Sequence, residues 1–436
     1  MQPIRIGILG IGTVGGGTVK LLQTNAAEIA RRLGREVVIT RAASRNLERA
    51  QRICGDSIQV SAEVADVVSS ADVDVVVELI GGTTVAKDAV VAAIKHGKHV
   101  VTANKKLLAE HGNEIFALAE EHNVMVMFEA AVAGGIPVIK ALREGLAANQ
   151  IQSIAGIING TSNFILSEMR ANGSPFDEVL KQAQELGYAE ADPTFDIEGH
   201  DAAHKLSIMS ALAFGTPLNF QHCYLEGISK LESQDIRYAE ELGYRIKLLG
   251  ITRKTPAGIE LRVHPTLIPE IRLLANVNGV MNAVQVQADM VGETLYYGPG
   301  AGASPTASAV VADIIDTARL MSAHADNRVP YLAFQPTQVQ DLPVLDINEV
   351  VSSYYLRVSA QDESGVLGEI ANILADEGVS IEALIQKGVV CHETAEIVIL
   401  THSTQEKHIR AAIARIEALP RTYAPVTMIR MESLHG

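Results

Sequence analysis

The glycines of Gly10-Ile-Gly12-Thr13-Val14-Gly15 constrain this chain more than any other feature. They follow an apolar stretch at residues 4–9 and open a helical pattern. Three glycines so placed serve a tight turn, close approach of the backbone to a pyrophosphate, and close packing of helix on strand. The helix N-terminus adds free N–H groups and partial positive charge for an anion. Such a turn also occurs with no ligand; its setting selects the nucleotide reading. Residues 1–130 alternate strands, at 4–9, 37–40, 73–79, 99–102 and 124–128, with helical patterns such as 113–122. That alternation predicts an α/β fold with a Rossmann-type, doubly wound parallel sheet. Gly10, Gly12, Thr13, Val14 and Gly15 are then the cradle of a dinucleotide. Gly16 and Gly17 carry the glycine run into the helix and weaken it, so close approach is expected there too.

In such folds the second strand normally ends in an acid that accepts from the adenosine ribose. Here it reads Thr40-Arg-Ala-Ala-Ser44-Arg45, with no acid. Arg45 and Ser44 suit a 2′-phosphate, which favours NADP(H) and leaves NAD(H) possible; a plain surface arginine is the alternative. Val100-Val-Thr-Ala-Asn104-Lys105 ends another strand, at the edge where ligands bind in open α/β sheets. Lys105 there can meet both a nicotinamide and a substrate, or be a solvated helix start.

The 436 residues allow two or three domains. The net charge of −15 excludes non-specific nucleic-acid binding and docking on anionic membranes. No uncharged apolar run is long enough to span a bilayer. Cys54, Cys223 and Cys391 form no CxxC and are expected to be reduced thiols in a cytoplasmic protein. The N-terminus opens on a strand with no apolar leader. The 13 histidines form no HxxxH or HExxH pair, so no zinc site is expected, and His200 and His204 read as structural.

Beyond residue 130 the pattern changes. Residues 151–158 read as a strand, helices follow at 163–171, 176–186 and 201–214, and strands return at 258–263 and 280–286. This is an α+β domain over 131–325. Gly298-Pro-Gly-Ala-Gly302 leads into a helix at 303–323 that is expected to pack back on the nucleotide domain. Gly302 can then touch the cofactor, or merely connect domains. Several prolines from 330 to 343 mark a linker, set at 326–351. Residues 352–436 run strand, helix, strand, strand, helix, strand (353–360, 366–377, 380–388, 393–400, 405–418, 426–431), a ferredoxin-like unit.

Gly187–Lys205, GYAEADPTFDIEGHDAAHK, holds five acids, Glu190, Asp192, Asp196, Glu198 and Asp201, and ends in Lys205. Asp201 and Lys205 are four apart and share a helix face. Acids beside one lysine can bind a substrate ammonium and set the lysine's proton affinity. An acidic turn followed by an ordinary helical ion pair is the plain alternative. Asp192 precedes Pro193 and is expected to shape the turn.

Taken in order, GIGTVGGG, VTANK, FEAAVAGGIP, GIINGTSNFIL and AQELGYAEADPTFDIEGHDAAHK resemble homoserine dehydrogenase across nearly the whole chain. The architecture is similar to the monofunctional form with a C-terminal ACT domain. The resemblance implies reversible NAD(P)H-dependent reduction of L-aspartate 4-semialdehyde to L-homoserine, on the route to threonine, methionine and isoleucine. Lys205 is then the proton donor and acceptor, Asp201 orients or charge-balances it, and Lys105 lies between cofactor and substrate and can share the proton transfer. Glu190 and Asp196 bind substrate polar groups. The resemblance also implies a monovalent-cation site, Na+ or K+, from Glu129 and the carbonyls of Val132, Gly134 and Ile136; the residues alone read as a Gly-rich turn. Asp362 and Gly365, in Ser359-Ala-Gln-Asp362-Glu-Ser-Gly365, match the first strand–loop–helix of an ACT domain. That implies feedback by L-threonine, with an ACT unit that only dimerises as the alternative. A homodimer or homotetramer is implied. Two other readings stay open at this point. One is a different Rossmann dehydrogenase acting on a short amino aldehyde or alcohol. The other is a nucleotide-sensing regulator without turnover, which has no need of a lysine beside several acids.

Overall fold

The computed structural model describes residues 2–324, 327–391 and 394–434. Met1, Ala325, Asp326, Glu393 and Gly436, which bound expected domains or strands, lie outside the described residues, as does the Cys391 side chain. The chain forms two compact units. The first comprises Met1–Gly160, Asp201–His222 and Val280–Leu342; the second comprises Thr161–His200, Cys223–Gly279 and Pro343–Gly436.

The first unit holds six parallel strands: β1 (Ile4–Leu9), β2 (Val37–Ala43), β3 (Gln59–Ser61), β4 (Val75–Glu78), β5 (His99–Thr102) and β6 (Val126–Met127). Their order is β3-β2-β1-β4-β5-β6, the doubly wound order expected of the alternating segment. The order reverses beside β1, so the crevice for a ligand lies at the carboxyl ends of β1 and β4. Strands β4 and β5 are buried throughout, as strands covered on both faces must be, which is why consecutive valines, Val75–Val77 and Val100–Val101, fill them without alternation. Strand β2 extends past residue 40 because Arg41, Ala42 and Ala43 pair with β3. With three residues, β3 is too short to show a period. Strand β6 is shorter than 124–128 because the chain turns into a 3-10 segment at Glu129–Ala131.

Helix Ala303–Leu320 packs on the helix Thr13–Thr24 that follows β1. Gly17 permits this: a Cβ there would lie 2.7 Å from the Ala303 carbonyl oxygen. Val19, Val310 and Ile314 share the core with Ile6 and Ile8 of β1. Three antiparallel strands, Gly292–Pro299, Met281–Ala288 and Ile151–Ile157, complete this unit.

In the second unit a hairpin joins two twelve-residue strands, Tyr244–Thr255 and Gly258–Pro269. The strand Gly258–Pro269 also pairs in parallel with Thr427–Met431. That strand is the last of a four-stranded set with Val351–Gln361, Thr394–Thr401 and Ile381–Cys391 in spatial order 4-1-3-2. With helices Val366–Asp376 and Glu406–Glu417 this is the expected ferredoxin-like unit. Its core is Leu356, Val358, Ile370, Leu374, Ile399 and Ile409.

Candidate active site

The glycine loop follows β1 as the sequence implies. Gly10 has a φ of +93°, and a Cβ there would sit 2.6 Å from the Leu79 carbonyl oxygen. A Cβ on Gly15 would run into the Gly10 carbonyl oxygen. These two glycines are required by the chain's own packing. Gly12 is different: a Cβ there would meet nothing within 4 Å. Gly12 caps the helix Thr13–Thr24 with no side-chain hydrogen bond, so the first turn, with Thr13 and Val14, presents its N–H groups to open space. Gly10 and Gly12 line a cleft of about 510 Å³ with Ser44, Arg45, Asn46, Arg49 and the Leu79–Val85 turn after β4. The volume suits a small-molecule site. Its chemistry fits a dinucleotide: a bare helix N-terminus at one side, two guanidinium groups and a hydroxyl at the other. Arg49, from the helix Leu47–Cys54, escaped the sequence reading because it lies four residues beyond Arg45 on an otherwise amphipathic helix.

The strand ends beside this cleft are held by a buried polar network. Glu78, fully buried at the end of β4, accepts from the backbone N–H groups of Ile80 and Gly81 at 2.8 and 3.1 Å. Its other oxygen accepts from the Thr102 hydroxyl at 2.7 Å. Thr102 in turn accepts from the Asn104 N–H at 3.0 Å. Asn104 caps the helix Lys105–Glu121 through the Leu107 N–H and donates to the Gly82 carbonyl at 2.7 Å. Lys105 therefore leaves its helix from a fixed backbone.

The ammonium of Lys105 lies 3.0 Å from one oxygen of Asp201. The other oxygen of Asp201 accepts from Lys205 at 2.7 Å and from the Asn159 side-chain amide at 2.8 Å. Lys205 also donates to the Ile158 carbonyl at 2.7 Å. Asp201 and Lys205 are buried, one turn apart on the helix His200–Phe214, while Lys105 is half-buried. Burial works against a charge on Asp201, but Lys205, Lys105 and the hydrogen bonds from Lys205 and Asn159 outweigh it. They hold its carboxyl well below the usual range. One carboxylate thus faces two lysines from distant parts of the sequence. Asp201 and Lys205 were legible from their i, i+4 spacing. Asn159 was not, since an asparagine after a strand carries no signal of what it faces.

Glu190 and Asp196 lie in the second unit. Glu190 is exposed, and its carbonyl accepts from the Gln184 side chain at 3.1 Å. Asp196 is half-buried in the short helix Thr194–Ile197, and its carbonyl accepts from the Ser162 hydroxyl at 3.0 Å. Asp192 caps this turn by accepting from the Thr194 N–H at 3.1 Å.

Glu129 is buried, and its two carboxylate oxygens accept from the N–H groups of Ile139 and Lys140 at 2.9 and 2.8 Å. Burial raises its pKa to about 7. After it, Ala133 and Gly134 take positive φ angles of 54° and 52°, and Gly134 packs its α-carbon against the Gly300 carbonyl. Carboxylate and carbonyl oxygens are hard donors and fit a monovalent cation. Each carboxylate oxygen already accepts from one N–H group, and the Ile136 carbonyl accepts from the Val138 N–H at 2.8 Å. No group of three or more His, Cys, Asp or Glu able to hold a metal is found among the described residues. Gly302 caps helix Ala303–Leu320 at a φ of +118°. In the ferredoxin-like unit Gly365 caps helix Val366–Asp376 at a φ of +100°, and Asp362 accepts from the Gln386 amide at 3.2 Å.

The family model described as homoserine dehydrogenase matches residues 137–315. The model for its NAD binding domain matches residues 10–129, and the ACT domain model matches residues 354–421. A homoserine dehydrogenase of Neisseria gonorrhoeae is 71% identical over 435 residues, covering 100% of both chains. The chain belongs to the homoserine dehydrogenase family. It is an oxidoreductase acting on a CH–OH group, with NAD-binding, catalytic and C-terminal ACT domains. A crystal structure of a homoserine dehydrogenase from Thiobacillus denitrificans matches it with a TM-score of 0.95 at 60% identity, covering 100% of this chain and 99% of that one. A hyperthermophilic archaeal homoserine dehydrogenase in complex with NADPH matches with a TM-score of 0.63 at 27% identity, covering 74% of this chain and 100% of that one. The sensor without turnover and the different dehydrogenase are set aside by identity across the full length. Among the described residues, no helix is long and apolar enough to cross a membrane.

Proposed function

We propose that the chain interconverts L-aspartate 4-semialdehyde and L-homoserine with NADP(H), and that Lys205 moves the proton at the substrate oxygen. The observation that carries this reading is the single buried carboxylate of Asp201 facing Lys105 and Lys205. A bound nicotinamide supplies the hydride to the aldehyde carbon or accepts it from the alcohol. Reduction leaves a developing negative charge on the carbonyl oxygen, and a positioned ammonium both stabilises it and gives it a proton. In the reverse direction the uncharged amine takes the proton from the alcohol. Asp201 holds the lysine in place and balances its charge. Lys105, at the carboxyl end of β5, orients the substrate between cofactor and Lys205. Glu190 and Asp196 take the substrate's polar groups.

The test is Lys205→Ala, which should lower kcat by roughly 10²–10⁴-fold, the range of general acid–base catalysis. A variant with near-wild-type kcat would sink the assignment. The NADP(H) preference rests on Arg45, Arg49 and Ser44 in the cleft and on the absence of an acid at the end of β2, beside the NADPH-bound archaeal relative. Arg45→Ala should lower kcat/KM for NADPH about tenfold, one charge-assisted contact's worth, and leave NADH unchanged. Equal losses with both cofactors would remove Arg45 from this role.

The same reading includes a monovalent cation, Na+ or K+, held by Glu129 and the carbonyls of Val132, Gly134 and Ile136; activity that is the same in sodium, potassium and choline salts would count against it. It includes Gly302 beside the cofactor, a cytoplasmic homodimer or homotetramer, and a place in threonine, methionine and isoleucine formation. It keeps 1–130, 131–325, 326–351 and 352–436 as the functional segments. Feedback by L-threonine is placed at Asp362 and Gly365. Titrating threonine into the assay should inhibit; no inhibition and no binding at high threonine leaves an ACT unit that only dimerises.

A further inference from the structure

We propose that Asn159 is a positioning residue of the reaction centre: its amide fixes the Asp201 carboxylate so that one oxygen faces each lysine. This deepens the reading of Lys205 as proton carrier and rests on it. Asn159 is buried just after the strand Ile151–Ile157. An ionised carboxylate only accepts hydrogen bonds, so the Asn159 atom 2.8 Å from Asp201 is its NH₂ group. That bond goes to the oxygen shared with Lys205, and the remaining oxygen is turned to Lys105. The preceding carbonyl, of Ile158, accepts from Lys205 itself. Two consecutive residues therefore hold both members of the Lys205–Asp201 pair. The turn has little freedom to shift, because a Cβ on the next residue, Gly160, would lie 2.8 Å from the Val280 carbonyl oxygen. Without the amide, the oxygen shared with Lys205 loses a donor, and the carboxylate plane is held only by the two mobile ammonium groups and can tilt between them. The geometry for proton transfer is then no longer single.

The charge balance provides the test. Two ammonium groups now share one carboxylate and a neutral amide. Asn159→Asp is nearly isosteric and adds a second carboxylate. Homoserine oxidation with NADP+ is measured against pH; in this direction Lys205 must start uncharged, so the rate rises through its titration. A new anion beside Lys205 keeps it protonated to higher pH and should move this acidic limb up by about one pH unit or more. Asn159→Ala should lower kcat about tenfold or more, with the KM for homoserine within about twofold, because misplacement of the reacting groups acts on the chemical step. An unmoved limb in Asn159→Asp overturns the proposal. So does wild-type kcat in Asn159→Ala, or a loss confined to KM. Lys205→Ala, run alongside, separates the two levels. If it keeps kcat and the limb, the proton-carrier reading itself fails; if it is inactive while both Asn159 variants behave as wild type, only the role of Asn159 fails.

Discussion

At the residue scale, glycines of one motif do different work. Gly15 is needed by the fold, since a Cβ there meets the Gly10 carbonyl, which is backbone and cannot swing away. Gly12 is not, since its Cβ would enter open space at the helix N-terminus. Gly15→Ala should therefore destabilise the protein by about 1–3 kcal/mol, the usual range for overpacking. Gly12→Ala should melt like wild type without cofactor and raise the KM for the dinucleotide about tenfold, by blocking backbone approach to the pyrophosphate. Thermal melts and cofactor kinetics on the two variants check this. If Gly12→Ala leaves the cofactor KM unchanged, Gly12 is not part of the cradle. The motif was legible in the sequence, but the division of labour within it was not. It depends on how the loop closes on itself, with the Gly10 carbonyl turned onto Gly15, and on Leu79, whose carbonyl packs on Gly10 and comes some seventy residues later.

At the element scale, legibility followed length and period. β1 and β5 have the expected bounds: β1 is apolar but for Arg5 and stops at Gly10, and β5 centres on Val100 and Val101 and stops before Asn104, the cap of the next helix. Strand Gly292–Pro299 gave no signal, being half exposed and pairing on one side with Met281–Ala288. Strand Tyr244–Thr255 was missed for another reason. Its middle is buried on both faces, and Lys247 interrupts the apolar run. Lys247 is buried, yet it faces no carboxylate at ion-pair distance among the described residues. It donates to the Val277 carbonyl at 2.6 Å and to the side-chain oxygens of Asn163 and Asn278 at 3.2 and 3.3 Å. Burial, with Arg170 and Arg245 nearby, lowers its pKa to about 7. The unfolded chain, with an ordinary lysine, therefore binds more protons than the folded chain between about pH 7 and pH 10.5. The sign follows: the contribution of Lys247 to stability rises with pH across that window and is least favourable below pH 7. Lys247→Met should flatten the rise, by on the order of a few kcal/mol, in urea unfolding measured from pH 6 to pH 10. A wild-type slope in the variant would show that Lys247 stays charged when folded.

At the scale of the whole molecule, the ferredoxin-like segment is not an independent bead on a linker within its unit. Thr427–Met431 pairs in parallel with Gly258–Pro269, so one sheet runs through both. Charge is buried along that seam. Arg430, fully buried, donates twice to Glu406 at 2.6 Å and once to Glu226 at 2.8 Å. Arg262, on the facing strand, pairs with both Glu260 and Glu432. Segments read in sequence order do not reveal this, because Glu226 and Glu432 lie outside any strand or helix and meet arginines far along the chain. Removing Arg430 leaves buried Glu406 with Arg410 alone and takes the arginine from Glu226. Arg430→Met should therefore cost about 3–5 kcal/mol. Arg430→Met combined with Glu406→Gln should recover part of that loss, since the double change leaves no unpaired charge between them. The continuity of the sheet adds a second expectation. Hydrogen exchange should show the amides of Thr427–Met431 and of the paired part of Gly258–Pro269 losing protection together, as one cooperative unit does. If Thr427–Met431 opens at much lower free energy while Thr266 and Leu267 stay protected, the seam does not couple them, and the ferredoxin-like segment folds on its own.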